Sequence, residues 1–151
     1  MTTQVKKFGN ESGSFNGTTS YLTAPDNAAL NMGAADFTVE GWVYINGTPA
    51  AGQNIINKDG KSAISWAQYA LSVSPARKIV AIISTTTTGA PPGSPTVLIT
   101  GATTLNIGQW YFVALTRVGV NATLWVGGVS DGTSSLVPAT LNTRNGGLYV
   151  G

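Results

Sequence analysis

Six carboxylates make up the whole acidic inventory of this 151-residue sequence: Glu11, Glu40, Asp26, Asp36, Asp59 and Asp131. General acid–base work needs two titratable groups brought together and pushed to different protonation states. No local spacing pairs any of the six. Glu11 and Glu40 stand 29 positions apart, and the next residues on the face of Glu40 are Trp42 and Tyr44. The sequence has no histidine and no cysteine. That removes the commonest general base, the thiolate nucleophile, the usual zinc ligands and any disulfide framework. The expectation is a chain with no catalytic residues, and not an enzyme. Binding chemistry is better supplied, because four tryptophans and five tyrosines offer flat apolar faces with polar tips. Tyr44 shares a strand face with Trp42, Trp66 and Tyr69 sit where a strand begins, and Trp125 lies on a hairpin. Trp66, Tyr69, Trp125 and Tyr44 are the candidate ligand or partner contacts, Trp66 foremost because its surroundings read as a rim loop. Trp42, Trp110 and Phe112 are expected to pack as core or sheet cover.

The elements that must position these residues are strands. Charged residues are 9% of the chain, against about 25% in an ordinary soluble domain. Nineteen glycines and twenty threonines take their place, a composition poor in helix formers and rich in strand and turn formers. The clearest strand is Asp36 to Asn46, with Phe37, Val39, Gly41, Val43 and Ile45 on one face and Thr38, Glu40, Trp42, Tyr44 and Asn46 on the other. Asn54–Lys58, Gln68–Ser74, Arg77–Ser84, Thr96–Thr100, Trp110–Val118, Asn121–Gly127 and Gly147–Val150 follow, and Ser14–Leu22 reads as two short strands around Asn16-Gly17. Thr85 to Pro95 reads as a polar surface loop, and Asn27–Met32 as at most one helical turn. Roughly ten short strands in one domain of this size make an all-β sandwich or barrel.

Charge and patterning exclude other classes. The net charge of +2 rests on scattered residues, with Lys6-Lys7 and Arg77-Lys78 the longest basic runs, so no basic face for nucleic acid is expected. No apolar stretch is long enough to span a bilayer. The first residues, Met1 to Lys7, lack the apolar middle of a signal peptide. Sequons at Asn10, Asn16, Asn46 and Asn121 read as chance products of a threonine-rich chain.

Five blocks in order resemble laminin-G-like, concanavalin A-like lectin–glucanase jelly rolls. Phe15 to Asp26 is similar to the family's opening strand pair. Ala29-Leu30-Asn31 followed by Asp36 to Val43 is similar to its second signature, and Leu105 to Thr116 to its third. Ala122 to Gly128 and Gly147 to Gly151 are similar to its fourth and fifth. The resemblance implies a two-sheet antiparallel jelly-roll sandwich over residues 15–151, preceded by an N-terminal arm or docking segment over 1–14. Where the family usually has an Asp-Gly turn, Gly127-Gly128 stands instead. The family also continues past Val150-Gly151 into a closing strand, so the expectation is a fragment of a longer chain or a domain completed by another segment or partner.

Further implications come with the resemblance. Jelly-roll glucanases carry Glu-x-Asp-x-x-Glu on one strand, for carboxyl groups about 5–5.5 Å apart; this sequence has no such motif. Some relatives hold calcium in loops, which makes Asp26 and Asp59 candidate donors. The ion takes roughly six to eight oxygens and usually several carboxylates, so no metal or other cofactor is expected. Lectin grooves pack sugar C–H surfaces on tryptophan and tyrosine faces. The expected function is a non-catalytic structural or binding module, foremost a component of a phage or virus-like virion surface (capsid decoration, or a tail or fibre domain). It would act through protein contacts within a larger assembly, as a homo-oligomer or with capsid or tail proteins, and through glycan attachment. Its expected place is the virion surface, or outside the cell after lysis. The alternative is a lectin-like carbohydrate-binding module of a bacterial surface or secreted protein.

Overall fold

The computed structural model describes residues 5–59, 67–84, 97–135, 137, 140–141 and 145–151. Ten strands among them form two antiparallel sheets. The six-stranded sheet runs β1 (Leu22–Ala24), β10 (Leu148–Val150), β3 (Gln53–Lys58), β4 (Tyr69–Val73), β5 (Ile79–Ile83) and β6 (Val97–Thr100). The four-stranded sheet runs β2 (Phe37–Tyr44), β7 (Trp110–Val118), β8 (Asn121–Val126) and β9 (Val129–Ser134). This is the two-sheet jelly-roll sandwich expected from the sequence, and Ala28–Leu30 is the single helical turn foreseen near Asn27.

Period-two alternation builds the sandwich. Along β2, Phe37 and Val39 are buried while Thr38 and Glu40 are exposed. From the other sheet, Tyr69, Leu71, Val73, Ile79, Ala81 and Ile83 join them in one core with Val113, Leu115, Ala122, Leu124 and Val126. β-Branched side chains are the largest group in that list, as a pleated surface favours. The sheets are tied along one side by Asp131 of β9. Its Oδ1 accepts from Thr103 N at 2.9 Å and Thr103 Oγ1 at 2.5 Å, and its carbonyl accepts from Ala102 N at 3.0 Å. Glycine is required beside it, because a Cβ on Gly101 would overlap the Asp131 carboxylate.

One local expectation is corrected, and one strand is added to those read from the sequence. Ser14–Leu22 is not a hairpin: Asn16 Oδ1 accepts from the backbone N–H groups of Thr18, Thr19 and Ser20 at 2.9–3.0 Å, an Asx-type turn that competes with strand pairing. Asp131 lies inside β9, a strand missing from those read off the sequence because Asp131-Gly132 has the chemistry of a turn. Gly132 is needed there for close packing, since a Cβ would come within 2.7 Å of Ile99. β10 is flanked by β1 and β3, which pair with it on either side. Gly127 and Gly128 form the two-residue β8–β9 turn with φ of +62° and +82°, the backbone that such hairpins demand. The proposed loop Thr85–Pro95 lies outside the described residues.

Leu124 is fully buried between the sheets. Leu124→Ala should lower stability by about 2–5 kcal/mol, read as a shift in the urea midpoint with unchanged slope.

Candidate ligand-binding face

The same alternation that sends Val39 and Val113 inward sends a row of rings outward on the four-stranded sheet. In the β2–β7 register, Trp42 lies opposite Phe112 and Tyr44 opposite Trp110. The ring centroids are 5.6 and 5.5 Å apart, tilted by 55° and 56°. β8 adds Trp125 opposite Ala114, with its indole N–H donated to Thr116 Oγ1 at 2.9 Å. Five aromatic side chains thus stand side by side on one sheet face. Trp42 is 41% exposed and the other four are half-buried. A depression of about 500 Å³ lies over three of them, Trp42, Trp110 and Phe112, and is lined also by Lys7, Tyr111 and the Gly127–Gly128 turn. A second depression of about 490 Å³ runs along Asn121–Thr123 and Thr133–Ser135 and holds hydroxyls and one amide but no ring.

The N-terminal arm reaches the aromatic face. Lys7 Nζ sits over the Trp42 ring, 4.1 Å from its centroid, and Phe8 meets Trp42 edge-on at 5.7 Å and 84°. Both are geometries in which an indole attracts a cation or a ring edge.

The sequence-derived candidates divide. Tyr44 and Trp125 are on this face. Trp66 lies outside the described residues. Tyr69 is not a surface contact: it is 2% exposed, points inward in β4, packs against Phe37 at 5.7 Å and donates its hydroxyl to Leu30 O at 3.2 Å. Trp42, Trp110 and Phe112, expected as packing residues, stand on the outer face with Trp42 the most open. Their placement was legible in the alternation Thr38, Glu40, Trp42, Tyr44; the contribution of Lys7 and Phe8 carried no signal.

Asp26 and Asp59, the candidate calcium donors, do converge, but on a cation the chain supplies. Lys58 has no exposure. Its Nζ donates to Asp26 Oδ1 at 3.0 Å, to Asp59 Oδ1 at 2.9 Å and to Gly146 O at 2.6 Å. Asp59 Oδ1 also accepts from Gly146 N at 2.9 Å. Asp59 adopts φ +84°, a left-handed conformation that surrounding contacts must hold in place. These residues do not fit a calcium ion, because the ammonium occupies the point where their oxygens meet. Among the described residues no cluster of three or more acidic side chains, histidines or cysteines is assembled, and no helix is long and apolar enough to cross a membrane.

A family model described as the concanavalin A-like lectin/glucanases superfamily matches residues 16–151. The chain belongs to this superfamily. Among solved structures it is similar to domains LG4-5 of the mouse laminin α1 chain, with a TM-score of 0.63 and 14% identity over 98% of this chain and 38% of that one. It is also similar to a candidate carbohydrate-binding protein from Bacteroides ovatus, with a TM-score of 0.62 and 14% identity over 87% of this chain and 34% of that one. A third is domain 4 of AbnA, an extracellular GH43 arabinanase from Geobacillus stearothermophilus, in complex with arabinotriose. It gives a TM-score of 0.51 and 14% identity over 94% of this chain and 68% of that one. The chain therefore spans little more than a third of the first two structures, and identities this low establish shared fold alone. No curated protein matches the chain.

Removing one member of a buried charge cluster leaves the others uncompensated, so Lys58→Met should cost about 3–5 kcal/mol, measured by chemical denaturation; calcium and EDTA should leave the wild-type melting temperature unchanged. Burial first, and the charge of Asp59 second, push the Tyr69 hydroxyl above its ordinary 10.0. The unfolded chain ionises there first, so this contribution to stability is intact below about pH 10 and is lost as pH rises further. Tyr69→Phe should flatten that alkaline decline in denaturation curves taken from pH 9 to 11.

Proposed function

We propose that this domain is a non-catalytic carbohydrate-binding module whose ligand lies across Trp42, Tyr44, Trp110, Phe112 and Trp125. The observation that carries the reading is the row of five rings turned away from the core on the four-stranded sheet. The rings pack on one another and not into the core, and the flat faces they present suit the C–H surfaces of a saccharide. Thr38, Glu40 and Thr116 flank them on the same outward rows and supply hydroxyl and carboxylate partners for sugar hydroxyls. The similarity to a candidate carbohydrate-binding protein and to a domain bound to arabinotriose supports this class of ligand. With no histidine, no cysteine and two of the six carboxylates committed to Lys58, binding is the chemistry left to this face.

The low charge favours a second role for the same domain, display on a larger particle such as a virion surface. Charged residues are depleted at the centres of protein interfaces, and here they are only 9% of the chain. Sedimentation of the source lysate should then carry the chain with large particles; recovery wholly in the light fractions would end that reading.

On a glycan array the domain should retain defined saccharides. Trp42→Ala and Trp110→Ala should each weaken binding about tenfold or more, in line with roughly 1–3 kcal/mol for an aromatic stacking contact. Their melting temperatures should stay within a few degrees of the wild type. An array without hits would overturn the reading.

A further inference from the structure

Part of the solvent side of Trp42 is taken by the chain itself, while the residue stays 41% exposed. Lys7 Nζ stands 4.1 Å over the ring, and Phe8 closes on it edge-to-face at 5.7 Å. On the sheet side, Phe112 flanks the indole at 5.6 Å. A pyranose cannot stack on the open face of Trp42 while the ammonium sits there. The hold of the arm is slight, since Phe8 remains 67% exposed. The next residue, Gly9, has φ +62° and open space around it, so the chain can turn there without steric penalty.

We propose that Lys7 and Phe8 are a displaceable internal occupant of the aromatic face, which a saccharide must lift off Trp42 in order to bind. The inference rests on the glycan-binding reading above and adds a competitor to it. One exposed cation–π contact and one edge-to-face ring pair hold the arm down by an equilibrium factor of about five to thirty. The measured affinity is lowered by the same factor, because only the arm-free fraction can take ligand.

The test uses the full chain, the double variant Lys7→Ala/Phe8→Ala and, as a fluorescence reference, Trp42→Phe in each background. Acrylamide quenching, with Trp42 isolated by difference, reads arm occupancy without any ligand. Calorimetric titration with xylohexaose, cellohexaose and arabinotriose reads affinity. In the double variant, quenching of Trp42 should rise and any saccharide bound by the full chain should bind about five- to thirtyfold more tightly, with an unchanged melting curve. Unchanged quenching would overturn the proposal, as would raised quenching with equal affinity. A loss of affinity would overturn it in favour of an arm that contributes to the site. If no form binds any of the three sugars, that result counts against the glycan reading for these ligands, and the quenching comparison alone decides whether the arm covers Trp42.

Discussion

The register between Phe37–Tyr44 and Trp110–Arg117 is the constraint on which everything else depends. Eight consecutive residue pairs match without a bulge, and the inward rows carry Phe37, Val39, Val113 and Leu115 into the core. A slip of a single residue would turn every inward side chain outward, exposing Val39, Val113 and Leu115 and burying Glu40. The core therefore fixes the register, and the register fixes where the rings stand. The aromatic face is a by-product of burying its opposite side, and it needs no loop to hold it in place.

A second constraint acts at the far sheet, where a lysine ammonium takes a position that apolar packing alone would not tolerate. Lys58 is in the inward row with Leu148, Tyr69 and Ile83. An ammonium there survives only because two carboxylates and a carbonyl meet it. In doing so they draw together the loop holding Asp26, the end of β3 and the backbone before β10, and they reinforce the hydrogen bond from Asp59 N to Gly147 O at 3.0 Å. The left-handed Asp59 is part of the same arrangement. Arg117 acts in a similar way on the other sheet, where its Nη1 donates to Gly33 O at 3.0 Å and its Nε to Gly119 O at 2.8 Å.

Most strands and the two faces of β2 and β7 could be read from alternation, because a period of two is a local property of the chain. β9 could not, since Asp131-Gly132 has the chemistry of a turn and acquires strand geometry by pairing with β8, with Asp131 held by Thr103. Tyr69 misled for a related reason. It stands at the start of a strand, where exposure is common, but β4 is buried on both faces, and that depends on what the rest of the chain lays over it. The Lys58 cluster joins residues 32 and 88 positions apart, a separation at which no spacing rule applies. Trp42 stands on the face that alternation assigns to it, packed against Phe112 and Phe8 yet 41% exposed. Alternation tells which side a ring is on and says nothing of how completely that side is covered.

The separation of the two faces of β2 and β7 also bears on how such a domain can diverge. Outward positions such as Thr38, Trp42, Tyr44 and Phe112 can be exchanged among neutral, polar and aromatic residues while the inward row, and with it the fold, stays as it is. Selection for a new ligand and selection for a stable sandwich thus act on alternate residues of the same strands. Trp125 is the exception, because its indole N–H is tied to Thr116, and a lineage altering that ring must also resettle the hydroxyl beneath it.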